Sequence, residues 1–271
     1  MSKLNYFGCS LTYGAELEGP GIHRTSEEAM LKYWPVTLGN KLGFDTNDIV
    51  NWARSGGSFE DIALTAIDAM NKSTDPDDLF IIAWTWPERQ NYWNPDEDAP
   101  NQAGITMTLS YLTNAISQFD LIKDHKKLVD HYRDYEGARN WALRSLEYFY
   151  MVDTTAKLLN KRCIHLQMGA TFTWLEKFLD KFFDTQTVPS YRFGQIEDNN
   201  LLGGACVLSE HTLYKHWHNA EILFKQKPIW YKFSEAYPDK KYYNGTHWSF
   251  EGSDIVADMI YNEIREWKID I

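Results

Sequence analysis

Five consecutive apolar residues, Leu79-Phe80-Ile81-Ile82-Ala83, constrain this chain more than any other feature. The run is far short of the roughly 20 residues that span a bilayer. It also lacks the alternation of a half-solvated strand, so it predicts a strand buried on both faces. Such a strand needs a parallel sheet with helices above and below. Other segments fit that demand. Leu4 to Phe7 is a short apolar run stopped by Gly8, Asp48 to Asn51 runs into the turn-rich Arg54-Ser55-Gly56-Gly57-Ser58, and Arg162 to Gln167 reads as a fourth strand. Helical periodicity falls at about 27–42, through Ile62, Ala66, Ile67 and Met70 with Ser58 as N-cap, at about 106–119, over 138–159 and over 249–267. The expectation is one α/β domain over 1–271, three-layered, with a roughly five-stranded parallel sheet. Residues 91–135 and 183–243 read as insertions over the sheet edge. The second of these is irregular, rich in aromatics, and carries Gly203-Gly204.

Charge and cysteine content exclude several classes. The 38 acidic against 27 basic residues give a net charge of −11, a field that repels nucleic acid and anionic membranes. Cys9, Cys163 and Cys206 are odd in number and far apart, which argues against a disulfide framework and fits a reducing compartment. The first eight residues carry one cation and break at Gly8, unlike a secretory leader. A cytoplasmic globular protein is expected, with no nucleic-acid or membrane partner and with its oligomeric state open.

Four short segments could carry chemistry, because positions just after strands gather at the carboxyl edge of a parallel sheet. In Gly8-Cys9-Ser10-Leu11 the serine would sit near a helix start, as a nucleophile beside a backbone N–H or as a plain N-cap. In Asn51 to Ser58, Gly56 could bring a backbone N–H to a bound oxygen, or simply turn the chain. Trp84-Thr85-Trp86-Pro87-Glu88-Arg89 follows the clearest strand, and its Trp84, Trp86 and Arg89 could line a pocket or close the sheet edge. Asn244-Gly245-Thr246-His247-Trp248-Ser249 opens the last helix. A histidine there is free to reach a nucleophile, and a polar residue three positions earlier could fix its tautomer.

Together, in content and order, these segments resemble the SGNH (GDSL-like) hydrolase family. Gly8-Cys9-Ser10-Leu11 is similar to the family's Gly-Asp-Ser-Leu block, Asn51 and Gly56 to its second block, and Asn244, His247 and Ser249 to its last. The resemblance covers residues 4–90 and 242–265. It implies a flavodoxin-like hydrolase fold and a serine esterase without cofactor or metal. Ser10 would be the nucleophile, His247 the base, and the N–H groups of Ser10 and Gly56 part of the oxyanion hole. Three departures stand out. Cys9 replaces the block-one Asp. Trp84-Thr85-Trp86 replaces the third block's Gly-x-Asn, leaving Thr85 as a substitute donor unless Trp86 aligns there. Asn244 replaces the triad Asp, and it could orient the imidazole without stabilising its charge. A Ser–His dyad, a carboxylate from elsewhere with Asp239 nearest in sequence, or loss of activity are the ways to accommodate that.

His211, His216 and His218 have a spacing that could suggest a metal site, but no second ligand set recurs nearby. Solvated or core histidines are the simpler reading. Among the 11 Trp, 16 Tyr and 14 Phe, Trp84, Trp86, Tyr92 and Trp93 cluster near the third segment and Trp217, Trp230, Tyr231, Tyr242, Tyr243 and Trp248 around the last. Their flat faces suit sugar rings or acyl chains, or fill a core. The expected activity is hydrolysis of a small carboxylic ester, with O-acetylated carbohydrate as a candidate substrate and Trp84, Trp86, Arg89 and Trp248 as pocket candidates. Acyl transfer would use the same residues. A competing reading is a binding protein that keeps the hydrolase scaffold and recognises its ligand in an aromatic-lined cleft.

Overall fold

The computed structural model describes residues 2–20, 26, 29, 31–87, 89–92, 105–107, 137–169, 216–217 and 220–268. In chain order the elements are β1 (Leu4–Phe7), α1 (Ser10–Tyr13), α2 (Trp34–Lys41), β2 (Ile49–Asn51), α3 (Phe59–Lys72), β3 (Leu79–Trp84), β4 (Gln90–Tyr92), β5 (Ile105–Met107), α4 (Gly137–Leu158), β6 (Arg162–Gln167), β7 (Ile222–Leu223), α5 (Ile229–Ala236), β8 (Tyr243–Asn244), β9 (His247–Trp248) and α6 (Phe250–Glu266). Five strands form one sheet in the order β2-β1-β3-β6-β7, and every pairing in it is parallel. The sequence expectation of a three-layer α/β fold is met.

Alternation along each strand assigns the layers. Leu4, Tyr6, Leu79, Ile81, Ala83, Ile164 and Leu166 pack under Trp34 and Leu38 of α2 and Val256, Ala257, Ile260 and Ile264 of α6. The opposite residues, Phe7, Phe80, Ile82 and Trp84, pack against Phe59, Ile62 and Ala66 of α3 and Phe149, Val152 and Ala156 of α4. All six residues of β3 are buried, as the central apolar run requires.

Helix ends follow local chemistry. Ser58 caps α3, its hydroxyl accepting from Asp61 N–H at 3.1 Å while the Asp61 carboxylate accepts from Ser58 N–H at 3.0 Å. This reciprocal box satisfies two orphan donors. Ser249 caps α6 by accepting from Gly252 N–H, and its hydroxyl donates to Lys241 O at 2.7 Å. A Cβ at Gly252 would lie 2.2 Å from Tyr242 O, so only glycine lets α6 start against the turn that precedes it. Of the helix expected over 27–42, the structure bears out Trp34–Lys41 as α2; Tyr33 is extended at its N-cap, with Pro35 in the first turn, where a missing N–H costs nothing.

Two expectations need revision. The helical period at 106–119 starts instead in a strand, since Ile105–Met107 pairs antiparallel with Gln90–Tyr92; residues 108–119 lie outside the described residues. The fifth strand, β7, comes from inside 183–243, so that part of the expected insertion belongs to the sheet; residues 183–215 lie outside the described residues. Two residues are too few to show a period. Among the described residues no helix is long and apolar enough to cross a membrane.

Candidate active site

The strand order places a reversal between β1 and β3. From β1 the chain crosses to β2 on one side, then returns over β1 to β3 on the other. At such a switch point the loops leaving the two carboxyl ends diverge and open a crevice. Ser10 follows β1 and Thr85 follows β3, so both stand at this edge.

The turn carrying Ser10 is held from several directions. Gly8 is obligatory, because a Cβ there would meet the Thr12 hydroxyl at 2.2 Å. Cys9, a buried free thiol, occupies the N-cap without a side-chain cap bond, and Ser10 is the first helical residue. The C-terminal carbonyls of so short a helix need outside donors. Trp34 Nε1–H donates to Leu11 O at 2.9 Å, and Asn51 Nδ2–H donates to Thr12 O at 3.0 Å. Asn51 thus braces α1, and its own oxygen accepts from Ala53 N–H. The following turn runs back along β1: Arg54 N–H donates to Gly8 O at 3.1 Å, and a Cβ at Gly57 would lie 3.1 Å from that same oxygen and 3.6 Å from Cys9 Cα. Gly56, at φ 79°, lies in the left-handed region, with open space where a Cβ would project.

The imidazole comes from β9, which packs against α1. His247 Nδ1 lies 2.5 Å from Glu16 Oε2. The same carboxylate oxygen accepts from Thr246 N–H at 3.3 Å and from the Thr246 hydroxyl at 3.4 Å. Glu16 adopts φ 61°, a left-handed conformation uncommon for a non-glycine residue. A Cβ on Gly245, itself at φ 61°, would crowd Glu16 Oε2 at 3.0 Å. A carboxylate on Nδ1 fixes the proton there and leaves the Nε2 lone pair as the basic site. Nε2 has no hydrogen-bond partner among the described residues. Ser10 is 5% exposed.

The carboxylate facing His247 is therefore neither of the groups weighed from sequence. Asn244 is turned away, its Nδ2–H donating to Leu17 O at 2.8 Å. Asp239 caps the short helical turn after α5 by accepting from Lys241 N–H. Glu16 carries no motif signal, being six residues past Ser10, and only the fold of the turn delivers it. Asn244→Asp is accordingly expected to leave ester turnover no higher. It should cost about 1–3 kcal/mol of stability, since it sets a carboxylate against a carbonyl oxygen. A rise in turnover with unchanged urea midpoint would contradict this placement.

The pocket candidates part company. Trp84 is fully buried, stacked on Phe59 at 4.8 Å between ring centres, and its Nε1–H donates to His165 Nδ1 at 3.1 Å. It is a core residue of the α3–α4 side and lines no open pocket. Trp248 is 2% exposed and packs on Trp230 and Phe233. Trp86 is half-buried; it meets Trp230 edge-on at 6.4 Å, and Arg89 lies over its ring at 4.9 Å. Thr85 is buried at the end of β3, where its hydroxyl is a candidate donor.

A second polar cluster lies on the α4 face of the sheet. Asp153 meets His216 Nε2 at 2.5 Å, Lys157 Nζ at 2.6 Å and His165 Nε2 at 3.3 Å. Cys163 Sγ is 3.7 Å from His165. Despite its Cys–His–Asp composition, the cluster is unsuited to nucleophilic chemistry. Burial, with the Asp153 charge, pushes the Cys163 thiol far up, and an inert thiol is the result. His165 is held neutral by burial, against the pull of Asp153. Of the histidines with metal-like spacing, His216 serves here as a hydrogen-bond partner; His211 and His218 lie outside the described residues.

This cluster sets an acid limit on stability. Burial alone would raise the Asp153 carboxyl, but bonds from His165 and Lys157 reverse that and hold it well below the ordinary carboxylate range. Both Asp153 and His165 have folded values below their unfolded ones, so each contributes stability that is complete above its unfolded pKa and fades as the pH falls. For His165 the loss begins below about pH 6.5, and for Asp153 below about pH 4. Asp153→Asn is expected to cost about 3 kcal/mol at neutral pH and to flatten the loss below pH 4. Urea unfolding at pH 7, 5 and 3.5 measures both, and an acid limb unchanged by the substitution would refute the assignment.

No protein-family model and no curated protein matches this chain.

Proposed function

We propose that this protein is a serine hydrolase acting on a small carboxylic ester, with Ser10 as nucleophile, His247 as general base and Glu16 as the group that orients His247. The observation that carries the reading is the 2.5 Å contact between Glu16 and His247 Nδ1, formed on a strand that packs against the turn bearing Ser10. A side-chain carboxylate on one imidazole nitrogen, with the other unbonded among the described residues, is how a base that activates a hydroxyl is oriented.

In this mechanism the Ser10 hydroxyl attacks the ester carbonyl carbon and its proton passes to His247 Nε2. Glu16 stabilises the imidazolium, supplying the charge that Asn244 could not. The developing oxyanion is received by backbone N–H groups of Ser10 and Gly56 and by the Thr85 hydroxyl. His247 then protonates the departing alcohol, and water, deprotonated by the same nitrogen, releases the acid from Ser10. An alcohol in place of that water gives acyl transfer. The family resemblance of the four segments supports the same assignment.

The competing binding-protein reading relied on aromatic faces. Two of its residues, Trp84 and Trp248, are enclosed, which weakens it. The deciding experiment is an ester screen of the wild type and Ser10→Ala with fluorophosphonate labelling; an unlabelled wild type that cleaves no ester would sink the hydrolase reading.

A further inference from the structure

Lys41, Lys72, Lys157 and Lys232 each meet a carboxylate. Arg89 meets none among the described residues. Its Nη1 is closed off from solvent and has no hydrogen-bond partner among them, although the guanidinium lies 4.9 Å from the centre of the Trp86 ring. Arginine cannot shed its proton. The residue as a whole is half-buried, and a ring face offsets only about 0.5–2 kcal/mol of a cation's lost hydration, so the enclosed Nη1–H groups still call for an acceptor.

Two more donors on the same aromatic group lack acceptors. Trp86 meets Trp230, and Trp230 meets both Tyr243 at 6.0 Å and Trp248 at 5.6 Å. The Tyr243 hydroxyl and Trp248 Nε1 are closed off from solvent without a partner among the described residues, and Trp248 as a whole is 2% exposed. An indole N–H and a guanidinium only donate, and a phenol can donate. What this group lacks is acceptor oxygen and negative charge. Arg89 follows β3, four residues past Thr85, at the carboxyl edge of the sheet where Ser10 follows β1; Trp248 shares β9 with His247 but projects to the opposite face of that strand. On a chain of net charge −11, a cation at that edge with no carboxylate among the described residues is a local exception to a field that repels anions.

We propose that the ester cleaved here carries an anionic group, a carboxylate or a phosphate, received by the Arg89 guanidinium where it lies over the Trp86 ring. A planar fork suits either group through two parallel hydrogen bonds. The ester part rests on the hydrolase reading; the anion site does not.

The test pairs turnover with binding. Mono-p-nitrophenyl succinate is compared with p-nitrophenyl butyrate, placing the charge on the acyl side. For the alcohol side, 4-acetoxybenzoate is compared with its methyl ester, and 4-acetoxyphenyl phosphate with phenyl acetate. At least one anionic ester should be preferred about tenfold or more in kcat/KM. Arg89→Gln should bring that ratio to about one, and Arg89→Lys should restore part of it. In parallel, the Ser10→Ala protein is titrated with succinate and with inorganic phosphate, followed by tryptophan fluorescence, with Arg89→Gln in the same background as control. Neutral-ester turnover without anion preference and without Arg89-dependent binding overturns the anion site and leaves the hydrolase reading intact. Arg89-dependent binding with no ester cleaved does the reverse. Neither binding nor turnover overturns both.

Discussion

Ser10→Ala is expected to lower kcat on p-nitrophenyl acetate to the background rate, a loss of about 10⁶ where the wild-type rate allows it to be read. Fluorophosphonate labelling should vanish with it. The magnitude follows from the role: without the hydroxyl no acyl-enzyme forms, and His247 and Glu16 are left orienting a base with nothing to deprotonate. The Ser10 hydroxyl makes no hydrogen bond to a side chain that holds α1, whose C-terminal carbonyls are held by Trp34 and Asn51. The urea midpoint should therefore move little. Retained labelling in the variant would move the nucleophile elsewhere in the chain.

Glu16→Gln should lower kcat by about 10⁴, equivalent to roughly 5.5 kcal/mol of barrier. An amide can still accept from Nδ1–H, but it cannot stabilise the imidazolium, and its flipped form would donate and impose the wrong tautomer. The variant also separates the two ways His247 could be oriented. If Glu16 is the orienting group, the loss appears in kcat while KM changes little. A variant that keeps wild-type kcat would mean that the Glu16–His247 bond is structural only. Thr246, which donates twice to the same carboxylate, keeps the glutamine in place and limits the trivial explanation of a collapsed loop.

Much of the scaffold was legible along the chain. Leu79 to Ala83 demanded a two-sided strand and became the fully buried β3. Ser58 announced the start of α3, because a capping box is a contact between residues three apart. The period of 249–267 predicted α6, and its apolar residues Val256, Ile260 and Ile264 are buried as one stripe. Elements failed to show where they were short or paired at a distance. β7 is two residues long, and β5 is a strand only because Gln90–Tyr92 runs beside it.

The candidate site divides along the same line. Sequence alone determined that a serine follows the first strand, that a glycine-rich turn follows the second, and that a histidine precedes the last helix, since each of these is a local relation between a strand end and the residues after it. Only the tertiary structure decided that Glu16 faces the imidazole 231 residues away, that Asn244 is spent on Leu17, and that Trp84 belongs to the core while Arg89 lies over the Trp86 ring with no carboxylate among the described residues. Those outcomes depend on which side chains the sheet order brings to one edge, and nothing in the spacing of residues along the chain encodes a contact made across the fold.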